Sequence, residues 1–136
     1  MKILAVDDNP TNLEIIKVLL RASGHPVLTA ESGPQALAVA RAELPDLIFM
    51  DLAMPGEIDG LEATRQLKRQ PETRHIVIVA LTAMVMAGDH AQAIAAGCDA
   101  FVRKPYTRKQ LLGLIQDRFP HVELTLRQQA RGAALR

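Results

Sequence analysis

The chain has 136 residues, 49% hydrophobic and 23% charged, a balance that suits one folded domain with a sizeable core and excludes a highly charged disordered segment. The formal net charge of +1 leaves no general nucleic-acid footprint, so direct DNA binding is not expected, and no apolar run approaches the ~20 residues of a membrane span. With no secretory leader pattern at the start and Cys98 as the only cysteine, an internal disulfide is excluded and a reducing, cytoplasmic setting is the simpler expectation.

Apolar runs alternate with helical patterns along the chain. Residues 2–6 read as a first strand. Pro10 then opens a helix, because its missing N–H would be unpaired in the first turn anyway, and the helix runs to about Ser23 and stops at Gly24. Val27–Ala30 is a second strand. Ser32 caps a second helix that ends before Pro45. Residues 47–50 form a third strand, followed by a Pro/Gly loop from Met54 to Gly60 and a third helix to about Arg69, with Pro71 marking the break. Residues 76–81 are a fourth strand, Ala87–Ala96 an alanine-rich helix stopped by Gly97, and Asp99–Val102 a short fifth strand. The last clear helix runs from about Thr107 to Phe119. Five such units imply an α/β fold with a five-stranded parallel sheet and helices on both faces. Residues 1–120 make up this domain. Residues 121–136 lack strand character, carry Arg127, Arg131 and Arg136, and form a short tail that either extends as helix or frays.

The strands end in a telling set of polar residues. Leu47–Met50 runs straight into Asp51, at the C-terminal end of a buried strand, where open α/β sheets place their ligands. Ile3–Val6 ends in Asp7 and Asp8, the fourth strand in Thr82, and Phe101 and Val102 are followed by Arg103, Lys104 and Pro105. Carboxylates, a hydroxyl and an ammonium therefore meet at one edge of one sheet. Crowded carboxylates raise one another's pKa unless a cation neutralises them, and a hard cation such as Mg²⁺ takes one or two carboxylates plus a phosphate oxygen. Lys104 adds a second positive charge and Thr82 a donor, which suits the spread negative charge of a transferring phosphoryl group. A carboxylate can itself be the nucleophile, and Asp51, the central one, is the best candidate. Each residue alone has a plainer explanation: a solvated strand end for Asp7 and Asp8, a turn hydroxyl for Thr82, a surface lysine for Lys104, an Asx-turn for Asp51. In this strand order the combination outweighs them.

With these residues in view, the chain resembles a receiver domain of two-component response regulators, of the single-domain, chemotaxis-regulator-like type. The matching pieces are Val6-Asp7-Asp8-Asn9, Met50-Asp51-Leu52-Ala53-Met54-Pro55, Asp59-Gly60, Ala80-Leu81-Thr82-Ala83, Ala96-Gly97-Cys98-Asp99-Ala100-Phe101 and Lys104-Pro105. The resemblance implies the flavodoxin-like strand order 2-1-3-4-5. It implies Asp51 as phosphoacceptor, with Asp7, Asp8, Asp51 and the backbone carbonyl of Ala53 as ligands of Mg²⁺, for which Mn²⁺ can substitute. It further implies Lys104 as partner of the phosphoryl group, Thr82 as switch hydroxyl, Phe101 as switch aromatic and a cis Lys104–Pro105 peptide.

The function implied is a phosphorylation-activated switch of a phosphorelay. It takes a phosphoryl group from a histidine kinase or histidine phosphotransfer protein, catalyses its own phosphorylation and dephosphorylation, and signals to a protein target through the face of the fourth helix, fifth strand and fifth helix. Met84, Val85 and Met86, just after Thr82, suit an adaptable contact. The phosphodonor is expected against Asn9, Thr11, Asn12, Ile15, Pro105 and Tyr106. On the first helix Leu13, Ile15, Ile16, Val18, Leu19 and Leu20 span roughly 220°, more than the ~100° stripe a core needs. In receivers the residues two after the phosphoacceptor and two after the switch threonine flank the path of the hydrolytic water. Here they are Ala53 and Met84, and neither positions water well.

One departure stands out. Three residues, Gly56-Glu57-Ile58, separate Pro55 from Asp59 where the family commonly has two, which puts the loop beside Asp51 and the reach of Glu57 in question. Two alternatives stay open. An aspartate-nucleophile phosphatase usually has a second Asp two residues after the nucleophile, where this chain has Ala53. The other is a receiver fragment of a larger regulator or hybrid kinase. The expectation is nevertheless a switch without an output domain, because only about 17 residues follow the last helix.

Overall fold

A computed structural model of the chain describes residues 1–21, 23–83 and 87–120. Its elements are β1 (Ile3–Val6), α1 (Pro10–Arg21), β2 (Val27–Ala30), α2 (Gly33–Glu43), β3 (Leu47–Asp51), α3 (Gly60–Arg69), β4 (Val77–Thr82), α4 (Ala87–Ala96), β5 (Ala100–Arg103) and α5 (Arg108–Arg118). The strands form one five-stranded parallel sheet in the order β2-β1-β3-β4-β5. Met84, Val85, Met86 and the tail 121–136 lie outside the described residues.

Side chains alternate across the sheet with the period of two that a pleated strand imposes. Leu4, Val6, Ile48, Met50, Ile78 and Ala80 pack on one face with Ala36, Leu37 and Ala40 of α2, Ala63 and Leu67 of α3, and Ala93 of α4. Ile3, Ala5, Leu47, Phe49, Val79 and Leu81 pack on the other with Leu13, Ile16 and Leu20 of α1 and Leu111, Leu112 and Ile115 of α5. β1 and β3 are buried from end to end, so their near-continuous apolar runs follow from having helices on both sides. Burying each large aliphatic side chain stabilises the fold by about 1.5–3 kcal/mol, which makes these two layers the main source of stability.

The helix ends follow local chemistry. Ser32 accepts from the Gln35 N–H at 3.2 Å, Asp59 from the Glu62 N–H at 2.9 Å, and Thr107 forms a capping box with Gln110. α2 closes on Leu44, whose N–H donates to the Ala40 carbonyl at 2.9 Å with φ of 45°. This left-handed cap is unusual for a side chain with a Cβ, and Pro45 prevents the helix from continuing.

Some boundaries move by a residue or two from those expected. α1 ends at Arg21, because the N–H groups of Ser23 and Gly24 turn to carbonyls three residues back, Leu20 and Arg21. β4 begins at Val77, because the Ile76 N–H belongs to the preceding turn and bonds to the Thr73 carbonyl. At the other end the ladder runs further than the apolar residues do. Asp51 pairs with Leu81 and Thr82 with Arg103, so these polar residues are the last rungs of the sheet. Among the described residues no helix is long and apolar enough to cross a membrane.

Candidate functional site

The site is built where β1, β3, β4 and β5 end. Val6 pairs with Met50, which brings Asp7, the next residue of the first chain segment, beside Asp51. Both are buried, at 2% and 3% exposure, whereas Asp8 is exposed. One carboxylate oxygen from each of Asp7, Asp8 and Asp51 lies within 4.8 Å of the others. Asp7 is held by its neighbours: Oδ1 accepts from the Asn9 N–H at 2.9 Å and from Asn12 Nδ2 at 3.4 Å. Asp51 Oδ1 accepts from the Ala53 N–H at 3.1 Å.

Lys104 crosses the site. Its Nζ is 3.1 Å from Asp7 Oδ2 and 3.5 Å from Asp51 Oδ2. Its backbone N–H donates to the Thr82 carbonyl at 2.7 Å, tying the loop after β5 to the end of β4. The Lys104–Pro105 peptide is cis. Thr82 is buried at the last rung of β4. The Ala53 carbonyl belongs to the same turn as the amide that binds Asp51, and Ala53 is exposed.

These charges do not balance. The Asp51 carboxyl is pushed up from 3.8 to about 6, mainly by burial. Lys104 opposes the shift, Asp7 adds to it, the Ala53 amide lowers it and Asp8 raises it further. Burial, with Asp7 and Asp51 adding to it, pushes the Tyr106 hydroxyl up to about 12. An unevenly compensated cluster of hard oxygen donors is a fitting seat for a divalent cation.

The structure brings Asp7, Asp8, Asp51 and Lys104 together, with Ala53 joined to Asp51 through its amide and Thr82 joined to Lys104 through its backbone carbonyl. Phe101 lies apart, on β5 and 41% exposed, with its ring edge-on to His90 of α4 at a centroid distance of 4.0 Å and an angle of 61°. That pairing is absent from the sequence reading because α4 and β5 meet only in three dimensions. The extra residue of the β3–α3 loop is turned outward: Gly56, with φ of 99°, and Glu57 are exposed, while Ile58 packs against the core. Glu57 is not among the carboxylates of the cluster. Another feature unread in the sequence is the closeness of the Gly60 backbone to the Asp51 carbonyl, although Asp59-Gly60 is one of the quoted motifs. Beside the site a cavity of about 310 Å³ is lined by Asn12, Ile15, Lys104, Pro105 and Tyr106.

The family model of the response regulator receiver domain matches residues 3–116. The chain belongs to this family. This receiver is 39% identical over 114 residues to the polar-differentiation response regulator DivK of Brucella ovis, a match spanning 84% of the chain and 92% of that relative. It is similar in structure to the chemotaxis protein CheY4 of Vibrio cholerae, with a TM-score of 0.79 and 29% identity, covering 85% of this chain and 96% of that one. The receiver domain of a sensor histidine kinase of Pseudomonas aeruginosa superposes with a TM-score of 0.78 and 36% identity over 85% and 94% of the two chains. That structure holds a magnesium ion coordinated in its active site cleft. The receiver reading therefore stands over that of a small-molecule phosphatase.

Proposed function

We propose that residues 1–120 act as a phosphorylation switch in which Asp51 accepts a phosphoryl group from the phosphohistidine of a histidine kinase or histidine phosphotransfer protein. The observation that carries this reading is the Lys104 ammonium at 3.1 Å from Asp7 and 3.5 Å from Asp51, inside a cluster of three carboxylates. An Asp51 oxygen attacks phosphorus as the bond to the histidine nitrogen breaks, and one Asp–O–P bond replaces one N–P bond. Lys104 pairs with the phosphoryl oxygens as they gain charge, a role its closeness to Asp7 and Asp51 supports. Asp7, Asp8, Asp51 and the Ala53 carbonyl would hold Mg²⁺, or Mn²⁺ in its place. When bound, the cation supplies the positive charge that lets two acidic groups and a phosphoryl group share one site.

The output reading is a movement of Thr82 toward the phosphoryl oxygens with an inward rotation of Phe101, altering the face formed by α4, β5 and α5 for a protein target. The exposed Phe101 and the buried Thr82 that ends the strand beside it support that reading. The partners are proteins rather than DNA, the setting is cytoplasmic, and residues 121–136 are a tail to this switch. Incubation with acetyl phosphate and Mg²⁺, followed by intact mass, tests the acceptor. The parent should gain one phosphoryl group and Asp51→Asn none; an equal gain in the variant overturns the assignment.

A further inference from the structure

We infer that Gly33, the first residue of α2, is a positioning residue for phosphoryl transfer: it admits the Ile58 backbone so closely that the lengthened β3–α3 loop is latched with Ala53 at the rim of the Asp51 site. The inference rests on the proposed role of the Ala53 carbonyl and extends it to a residue outside the site.

The loop is fixed at its two ends and exposed in the middle. At the start, the Leu52 N–H donates to the Leu81 carbonyl and the Ala53 N–H to Asp51 Oδ1, both at 3.1 Å. Leu52 and Met54 are buried in the cluster beneath α2 and α3. At the far end, a methyl group on Gly60 would overlap the Asp51 carbonyl oxygen and lie 2.7 Å from Leu52 Cα. A methyl group on Gly33 would overlap the Ile58 carbonyl oxygen and lie 2.7 Å from both the Ile58 carbonyl carbon and Cγ2. Atoms that close must separate, and at both glycines the nearest obstacle is a backbone carbonyl rather than the tip of a flexible side chain. Gly56 and Glu57 loop outward between these anchors, and a methyl group added at Gly56 would meet nothing within 4 Å. The extra residue is thus absorbed on the exposed side of the loop, provided that Ile58 keeps its seat on Gly33.

This reverses the usual sign of a substitution. Glycine to alanine in a helix ordinarily stabilises by limiting the unfolded chain, and Gly113 of α5, where an added methyl meets nothing within 4 Å, is an ordinary case. Gly33→Ala has to displace the Ile58 backbone instead. The displacement runs toward Ala53 through the short segment that joins the two anchored ends of the loop. A misplacement of about 1 Å can cost a reacting site up to ~100-fold, so a roughly tenfold loss is expected.

The test compares the parent, Gly33→Ala and Gly113→Ala. With a chelator present, Gly33→Ala should lower the melting temperature and shift the amide resonances of Ala53 and Ile58, while Gly113→Ala should do neither. Calorimetric Mg²⁺ affinity and the acetyl phosphate rate should each fall roughly tenfold in Gly33→Ala and hold in Gly113→Ala. If Gly33→Ala fails to fold, Ile58→Ala, which removes the loop's anchor in the core, takes its place and should weaken Mg²⁺ in the same direction. Unchanged Mg²⁺ affinity and Ala53 resonance in the folded variant overturn the inference, even if stability falls. A parent that neither binds Mg²⁺ nor gains a phosphoryl group instead overturns the proposed function.

Discussion

Lys104 Nζ lies 3.5 Å from Asp51 Oδ2, reaching from the loop after β5 to the end of the central strand β3. The lysine is the opposing positive influence on a carboxyl that burial has already raised to about 6. Lys104→Met should therefore push the Asp51 carboxyl higher still and leave the phosphoryl oxygens without their donor. Loss of one such preorganised charge costs about 10²–10³-fold in comparable sites. A time course of mass gain with acetyl phosphate should show a fall of that order, and a rate within threefold of the parent would remove Lys104 from the chemistry.

The Asp51 shift also predicts how stability depends on pH. Its folded pKa, about 6, lies above the ordinary 3.8, so between these values the folded chain binds more protons than the unfolded chain. Stability linked to Asp51 is thus full below about pH 4 and is lost as pH rises through 6. At neutral pH the ionised carboxylate costs on the order of 1–3 kcal/mol in the metal-free protein. Asp51→Asn should recover most of it at pH 7 in chelator and little at pH 4. Denaturant titrations at the two values check this, and a gain equal at both would assign the effect to packing rather than charge.

α1 buries Leu13, Ile16 and Leu20 and leaves Ile15 and Val18 each 48% exposed. Ile15 also lines the cavity beside Lys104, Pro105 and Tyr106. Ile15→Lys should slow transfer from a phosphohistidine partner by about tenfold or more, the scale on which a central interface residue acts. It should spare acetyl phosphate, which needs no protein contact. Parallel loss with both donors would point to a damaged fold instead.

Much of this arrangement is legible in the sequence, for a physical reason. Apolar runs that end in Asp7, Asp51, Thr82 and Lys104 announce both the strands and the edge at which they terminate, and parallel pairing brings like ends together. The flanking glycines and prolines mark most helix ends to within a residue or two. What escaped depends on elements meeting in space. The seat of Ile58 on Gly33 and the ring contact of His90 with Phe101 each join segments whose sequences carry no sign of the other. Leu44 escaped for a local reason: a left-handed cap is normally glycine, so no residue pattern marks it.

The ring contact makes the proposed switch measurable. An edge-to-face pair contributes about 0.5–1.5 kcal/mol, enough to bias Phe101 toward its outward position by a factor of roughly 2–12. Phosphorylation that draws Phe101 inward should therefore shift His90 and Phe101 resonances together, along with those of α5. Shift changes confined to the Asp51 loop would contradict a switch through α4, β5 and α5.

The last prediction concerns the lifetime of the phosphorylated state. Hydrolysis requires a water in line with the departing Asp51 oxygen, and a side chain that orients this water lowers the barrier. The family resemblance implies Ala53 on one flank of that path; Ala53 is exposed and without a polar side-chain group, and its amide is already committed to Asp51 Oδ1. Glu57, the nearest candidate in the inserted loop to hold a water instead, is turned to solvent and stands outside the carboxylate cluster. Met84, the other flanking position in the sequence, lies outside the described residues, so the structural case rests on Ala53. A water held less firmly by about 1.4 kcal/mol slows hydrolysis tenfold. Ala53→Asn places an amide on that flank and should shorten the lifetime by about this factor without altering Mg²⁺ affinity, because the proposed metal contact is the backbone carbonyl. Loss of mass followed after removal of acetyl phosphate measures it. A parent that loses its phosphoryl group as fast as Ala53→Asn shows that the water is positioned from elsewhere.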